Sequence, residues 1–133
     1  MRDVPPLLGC PCRTPVDPVP YRDCCGRYHE GTHYGQAPDA LALMRSRYSG
    51  FVLGQWDYLL QTWHSSTRPT ELDPAPSGLR WLGLEVRRYT VTDADHASVE
   101  FVARSKLGGR AQRQHEVSRF VRLGGRWLYL DAG

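Results

Sequence analysis

No cysteine follows Cys25 in this chain of 133 residues. A disulfide framework spread over the whole molecule is therefore excluded, and the longer C-terminal part must fold on its own apolar core. Long hydrophobic runs are missing as well. No stretch approaches the roughly 18 to 20 apolar residues that span a bilayer, so nothing points to a membrane. There is no internal repeat and no low-complexity tract. No Ser-His-Asp order and no glycine-rich phosphate loop appears, and nothing points to a nucleotide or flavin. A large excess of charge of one sign is also lacking. The formal net charge is +3, and four thiolates on one divalent zinc would lower it to about +1. That is too little to argue for nucleic acid from charge alone.

What the chain does have is a cysteine cluster: Cys10-Pro11-Cys12, eleven residues, then Cys24-Cys25-Gly26. Zinc takes four soft ligands at tetrahedral corners, and two close thiolate pairs separated by a loop can supply them. The expected cofactor is therefore Zn2+ on Cys10, Cys12, Cys24 and Cys25. Two disulfides in an exported segment, or plain reduced thiols, are the alternatives. A bridge between the adjacent Cys24 and Cys25 would be strained, which favours metal. Leu7-Leu8-Gly9-Cys10 has the look of a lipoprotein attachment box. Only nine residues precede Cys10, Asp3, Pro5 and Pro6 among them, so the basic and apolar parts of a secretory signal are not there. The expectation is a cytoplasmic protein, whose reducing surroundings favour thiolate ligands. Arg13, Arg22 and Arg27 lie beside the ligands. They either compensate an anionic metal centre or face a phosphate or acidic partner.

Residues 1 to 36 are crowded with proline and glycine and hold no helix or strand period, so they form a metal-dependent segment. A second unit is expected over residues 37 to 133. Pro38 and Asp39 mark a helix start. Leu41, Met44, Tyr48, Phe51 and Val52 follow at helical spacing through about Leu53. Gly54 interrupts, and Trp56, Leu59, Leu60 and Trp63 form a second helical stripe. A polar loop with Pro69, Pro74 and Pro76 follows, with a short helical turn expected near Thr70 to Leu72. From Trp81 the period becomes two: Leu82, Leu84 and Val86, then Val99, Phe101 and Ala103, then His115, Val117 and Arg119. Turns fall at Asp93-Ala94-Asp95, Gly108-Gly109 and Gly124-Gly125, and Trp127 to Leu130 close the set. Two helices followed by a four-stranded antiparallel meander make an α+β fold, a cone of helices against a curled sheet with a cavity inside.

The cysteine segment resembles the SEC-C zinc motif, on Cys10-Pro11-Cys12 and Tyr21-Arg22-Asp23-Cys24-Cys25-Gly26. The rest resembles the YchJ-like family of bacterial proteins. The residues that carry this are Leu43-Met44-Arg45-Ser46-Arg47-Tyr48, Asp57-Tyr58-Leu59-Leu60, Thr62-Trp63-His64 and Trp81-Leu82-Gly83-Leu84. They continue with Val99 to Arg104, His115-Glu116, Ser118-Arg119-Phe120 and Gly125-Arg126-Trp127. The resemblance implies a nuclear transport factor 2-like cone behind a zinc knuckle. It implies no activity, since the family carries none that is established.

Candidate chemistry in the cone rests on polar residues whose facing the sequence leaves open. His64 ends the second helix, where an imidazole is a candidate general base. The ordinary alternative is a histidine at the negative helix end. His115 and Arg119 share a strand face and would grip an anion if that face turned inward. Glu100 is a partner for an inward Arg45 or Arg47, or one half of a cross-strand ion pair. Trp63 is expected in the core or the cavity wall. The expected function is a zinc-containing adaptor that docks a protein partner through its knuckle. The first alternative is an enzyme or small-molecule binder using the cone through Arg45, Trp63, His64, Glu100, His115 and Arg119. The second is nucleic-acid binding near the metal. Cone domains often pair through their sheets, so a homodimer is the oligomer to expect.

Overall fold

Asp39 opens the first long helix with its own side chain: Oδ1 accepts from the backbone N–H of Ala42 at 2.7 Å. That is an N-cap, one of the most effective ways to satisfy the free donors of a first turn. A computed structural model describes residues 9 to 14 and 16 to 132. Leu7 and Leu8 of the attachment-box pattern lie outside the described residues. A 3-10 turn, Tyr21–Asp23, and a one-turn helix, α1 (Gly26–His29), follow the first cysteine pair. Then come α2 (Ala40–Leu53) and α3 (Trp56–Gln61), joined at Gly54, whose φ of 71° is the left-handed conformation that glycine adopts at no steric cost. The strands are β1 (Arg80–Asp93), β2 (His96–Leu107), β3 (Arg110–Leu123) and β4 (Arg126–Ala132). They form one antiparallel sheet in chain order. No described helix is long and apolar enough to cross a membrane.

The expected elements are present, and three details differ. The helical turn in the polar loop sits at residues 64 to 68, where the His64 carbonyl accepts from the N–H groups of Thr67 and Arg68. It does not sit at Thr70 to Leu72. The segment before it is drawn onto the sheet: His64 N–H donates to the Tyr129 carbonyl and Tyr129 N–H to the Thr62 carbonyl, both at 2.8 Å. In β1 the register shifts between Trp81 and Gly83. This bulge turns Trp81 to the helices and leaves Leu82 52% exposed, although strict alternation would have placed it beside Leu84 and Val86.

Further register shifts at Val86/Arg88 and Val91/Asp93 in β1, and at Leu130 in β4 opposite Arg119 and Phe120, bend the sheet around the helices. Its inner face carries Leu84, Ala97, Val99, Ala103 and Phe120, all buried. The α2 helix lies between this face and the cysteine segment. Ser49 is fully buried on the cysteine side, the Ser46 carbonyl meets His29 while the Ser46 hydroxyl turns to Tyr58, and Met44 and Tyr48 are buried on the sheet side. Cysteine segment, helices and sheet share one buried cluster, from Cys10 to Trp127.

Candidate metal centre and cavity

The four cysteines are brought together by backbone turns. Cys10 N–H donates to the Val19 carbonyl at 2.7 Å and Arg13 N–H to the Cys10 carbonyl at 3.0 Å, which curls Cys12 back under the loop. On the other side Cys24 N–H donates to the Tyr21 carbonyl, and α1 starts directly after Cys25. All four sulfurs lie within 4.8 Å of one another, and the side chains are 1 to 4% exposed. Three separations are 3.6 Å (Cys12 to Cys24), 3.6 Å (Cys25 to Cys12) and 4.0 Å (Cys24 to Cys25). A zinc–sulfur bond of about 2.3 Å in a regular tetrahedron places sulfurs about 3.8 Å apart. The set therefore fits one tetrahedral ion and is too open for disulfides.

The surroundings suit an anionic centre. Arg13 faces Cys24, which holds its guanidinium more firmly in the charged form, and Arg13 Nε is buried without a hydrogen-bond partner among the described residues. Thiols of Cys10, Cys12 and Cys25 donate to Cys24 and pull it well below the usual thiol range, and the same crowding pushes Cys12 and Cys25 up. A cation placed among them relieves this contest. Ser49 Oγ lies 3.4 Å from Cys10 Sγ. Arg45 Nη1 donates to the Cys12 carbonyl at 2.9 Å, and Arg27 Nε donates to the Cys24 carbonyl at 3.0 Å. Such contacts orient ligands and shield charge. Arg22 stands in solvent, 3.9 Å from Asp23.

His29-Glu30-Gly31-Thr32-His33 matches the His-Glu-x-x-His spacing of helical zinc sites. The geometry removes it. The helix ends at His29, and Glu30 is extended. His29 is buried with both ring nitrogens engaged, Nδ1 2.6 Å from the Tyr21 hydroxyl and Nε2 2.8 Å from the Ser46 carbonyl. His33 is exposed.

A cavity of about 290 Å³ lies between α2 and the sheet. Of the residues named from sequence for such a cavity, Trp63 lines it and Arg45, His64, Glu100, His115 and Arg119 do not. Arg45 belongs to the cysteine segment through its bond to Cys12. His64 is turned away, its Nδ1 2.7 Å from Ser66 Oγ. The register of β3 places Gln114, Glu116, Ser118 and Phe120 inside and His115, Val117 and Arg119 outside. On that outer face His115 Nε2 meets Glu100 Oε2 at 2.7 Å, and Arg119 forms a bidentate pair with Asp131 at 2.6 Å. These are solvated cross-strand pairs and not a grip on a ligand. His64, His115 and Arg119 therefore do not converge on this cavity. The polar groups that do face the cavity include Arg47, weighed from sequence as an inward partner for Glu100, and Gln114, Glu116, Ser118 and Tyr129, which the sequence did not single out.

A family model described as the middle, NTF2-like domain of YchJ matches residues 39–132. A UPF0225 protein from Methylibium petroleiphilum is 62% identical over 124 residues, covering 93% of this chain and 87% of that one. A UPF0225 protein from Bordetella pertussis is 57% identical over 123 residues, covering 92% and 90%. Among solved structures, a SEC-C motif-containing protein from Psychrobacter arcticus superposes with a TM-score of 0.79 at 34% identity, covering 95% of this chain and 82% of that one. A SEC-C motif-containing protein from Rhodopseudomonas palustris gives 0.79 at 30% identity, covering 95% and 98%.

Proposed function

The chain belongs to the YchJ-like, UPF0225 family, and on that premise we propose that it is a zinc-stapled adaptor that docks a protein partner over the face carrying its four cysteines. The observation that carries this is the closed sulfur set. Four buried thiolates fill every tetrahedral position, so the ion has no open site for water or substrate and serves architecture rather than chemistry. When bound, zinc supplies a rigid cross-link. Cys10 and Cys12 fix the start of the loop, Cys24 and Cys25 its end, and Arg13 offsets the excess negative charge.

The stapled loop presents its middle outward. Val16 is 93% exposed between the two ligand pairs, and the exposed Arg22 lies just before the second pair. An apolar tip near cationic side chains suits a protein surface with a small recess and an acidic rim. Arg13 and Arg27 are already engaged at Cys24, which weakens the nucleic-acid reading: a phosphate would compete with contacts that hold the metal centre.

The test has two parts. Elemental analysis of the reduced protein should find about one zinc per chain, lost in the Cys24→Ser/Cys25→Ser variant. A Val16→Asp/Arg22→Glu variant should keep the zinc and lose the partner captured by the unaltered chain. Recovery of the same partner by both proteins rejects the adaptor, whatever the metal content. Deleting the whole segment is a poorer test, because it uncovers Ser46, Ser49 and the rest of that side of α2.

A further inference from the structure

The metal centre leaves Arg47 unexplained. This side chain is 5% exposed and donates from Nη1 to the Leu59 carbonyl and to Thr62 Oγ1, each at 2.7 Å. A guanidinium carries five N–H donors on three nitrogens, and these bonds engage one nitrogen. Among the described residues no carboxylate stands within ion-pair distance of it. Burial lowers Arg47 to about 10, so it stays charged at neutral pH. The rings of Trp63 and Tyr129 flank the guanidinium at 5.0 and 4.7 Å and offset part of the cost of burying it.

Trp63 shows a true orphan beside it: its Nε1–H is buried with no hydrogen-bond partner among the described residues. Buried donors without acceptors are rare in folded proteins and ask for an explanation. Both residues line the 290 Å³ cavity. Glu116 lines it from β3, accepting from Gln114 Nε2 at 3.2 Å and from Ser118 Oγ. The remaining wall is largely apolar, with Met44, Phe51, Phe101 and Phe120. At about 30 Å³ per heavy atom of liquid, the space holds about ten heavy atoms.

We propose that this cavity binds a small organic carboxylate with an apolar body and a hydrogen-bond donor at its far end. The carboxylate accepts from Arg47 and Trp63 Nε1, the body fills the aromatic wall, and the donor meets Glu116. A second carboxylate is disfavoured by Glu116, and an inorganic anion has nothing to fill the apolar part. This site is separate from the metal centre, so its failure would leave the adaptor reading standing.

The experiment is a nuclear magnetic resonance titration of the full-length, zinc-loaded, nitrogen-15-labelled protein. The Trp63 indole N–H signal is identified by its disappearance in Trp63→Phe. With 4-hydroxyphenylacetate it should move saturably and downfield. The matching alcohol, 2-(4-hydroxyphenyl)ethanol, should bind at least about tenfold more weakly, as loss of a charge-assisted hydrogen bond implies. Phenylacetate should fall between them, and Glu116→Gln should shrink its difference from 4-hydroxyphenylacetate. Trp63→Phe, followed on neighbouring backbone signals, should bind 4-hydroxyphenylacetate about tenfold more weakly. No saturable shift with any of the carboxylates, or equal affinity for the alcohol or for inorganic phosphate, overturns the proposal.

Discussion

His29 stands between Tyr21 and Ser46, and its partners dictate its protonation. The Ser46 carbonyl can only accept, so Nε2 carries the proton, and Nδ1 accepts from the Tyr21 hydroxyl. Burial lowers its pKa. The bond to Ser46 and the nearby Glu30 and Cys24 act in the opposite direction and do not outweigh it. The folded value therefore lies below the unfolded one of about 6.5. A depressed value means a contribution to stability that is complete above the unfolded pKa and is lost as pH falls through the folded one. With zinc in excess, unfolding free energy should decline as pH falls below about 6.5, and His29→Asn should flatten that slope. Denaturant titrations at stepped pH measure it. An unchanged slope in the variant would remove His29 from the account. The sequence advertises this residue only through a His-Glu-x-x-His spacing that the fold does not use, because its role depends on Ser46, seventeen residues on.

At the scale of elements, the Tyr21–Asp23 turn and α1 close the second ligand pair by lying against each other. A Cβ added at Gly26 would stand 2.8 Å from the Tyr21 carbonyl oxygen, a backbone atom with little room to move. Gly26→Ala should therefore spread Cys24 and Cys25 and weaken metal retention by about tenfold or more, a cost in the range of small core overpacking. Competition with a colorimetric chelator reads this directly, and undiminished retention would show that the turn adapts. The hairpins were the most legible elements. Gly108-Gly109 and Gly124-Gly125 take positive φ at both positions, from 58° to 80°, as two-residue turns in a right-twisted sheet require. The facing of β3 was illegible for a physical reason. Its inner residues are Gln114, Glu116 and Ser118 and an outer one is Val117, so the polar strip that β3 turns to the cavity reverses the usual sign of alternation. Leu82 was misplaced because a bulge leaves no trace in a period of two. The cysteine set was readable from spacing alone, whereas Arg47, Trp63 and Glu116 meet only through tertiary packing.

At the scale of the whole molecule, the cysteine segment is one wall of the shared core and not an appendage, so metal removal should be felt throughout. A ligand present at a hundred to a thousand times its dissociation constant stabilises by about 3 to 4 kcal/mol. For a chain of this size that corresponds to a fall in melting temperature of about 10 °C when the ion is stripped. Calorimetry of the chelated protein should show this loss in a single transition. Two separated transitions would mean that segment and cone melt independently. The partition between the two halves is α2, with Ser49 and the Ser46 carbonyl turned to the cysteine side and Arg47 to the cavity. Such a partition cannot shift on one side alone. Reciprocity then obliges the two chambers to answer each other equally: whatever factor metal loading applies to the grip on an anion, the anion applies to the grip on the metal.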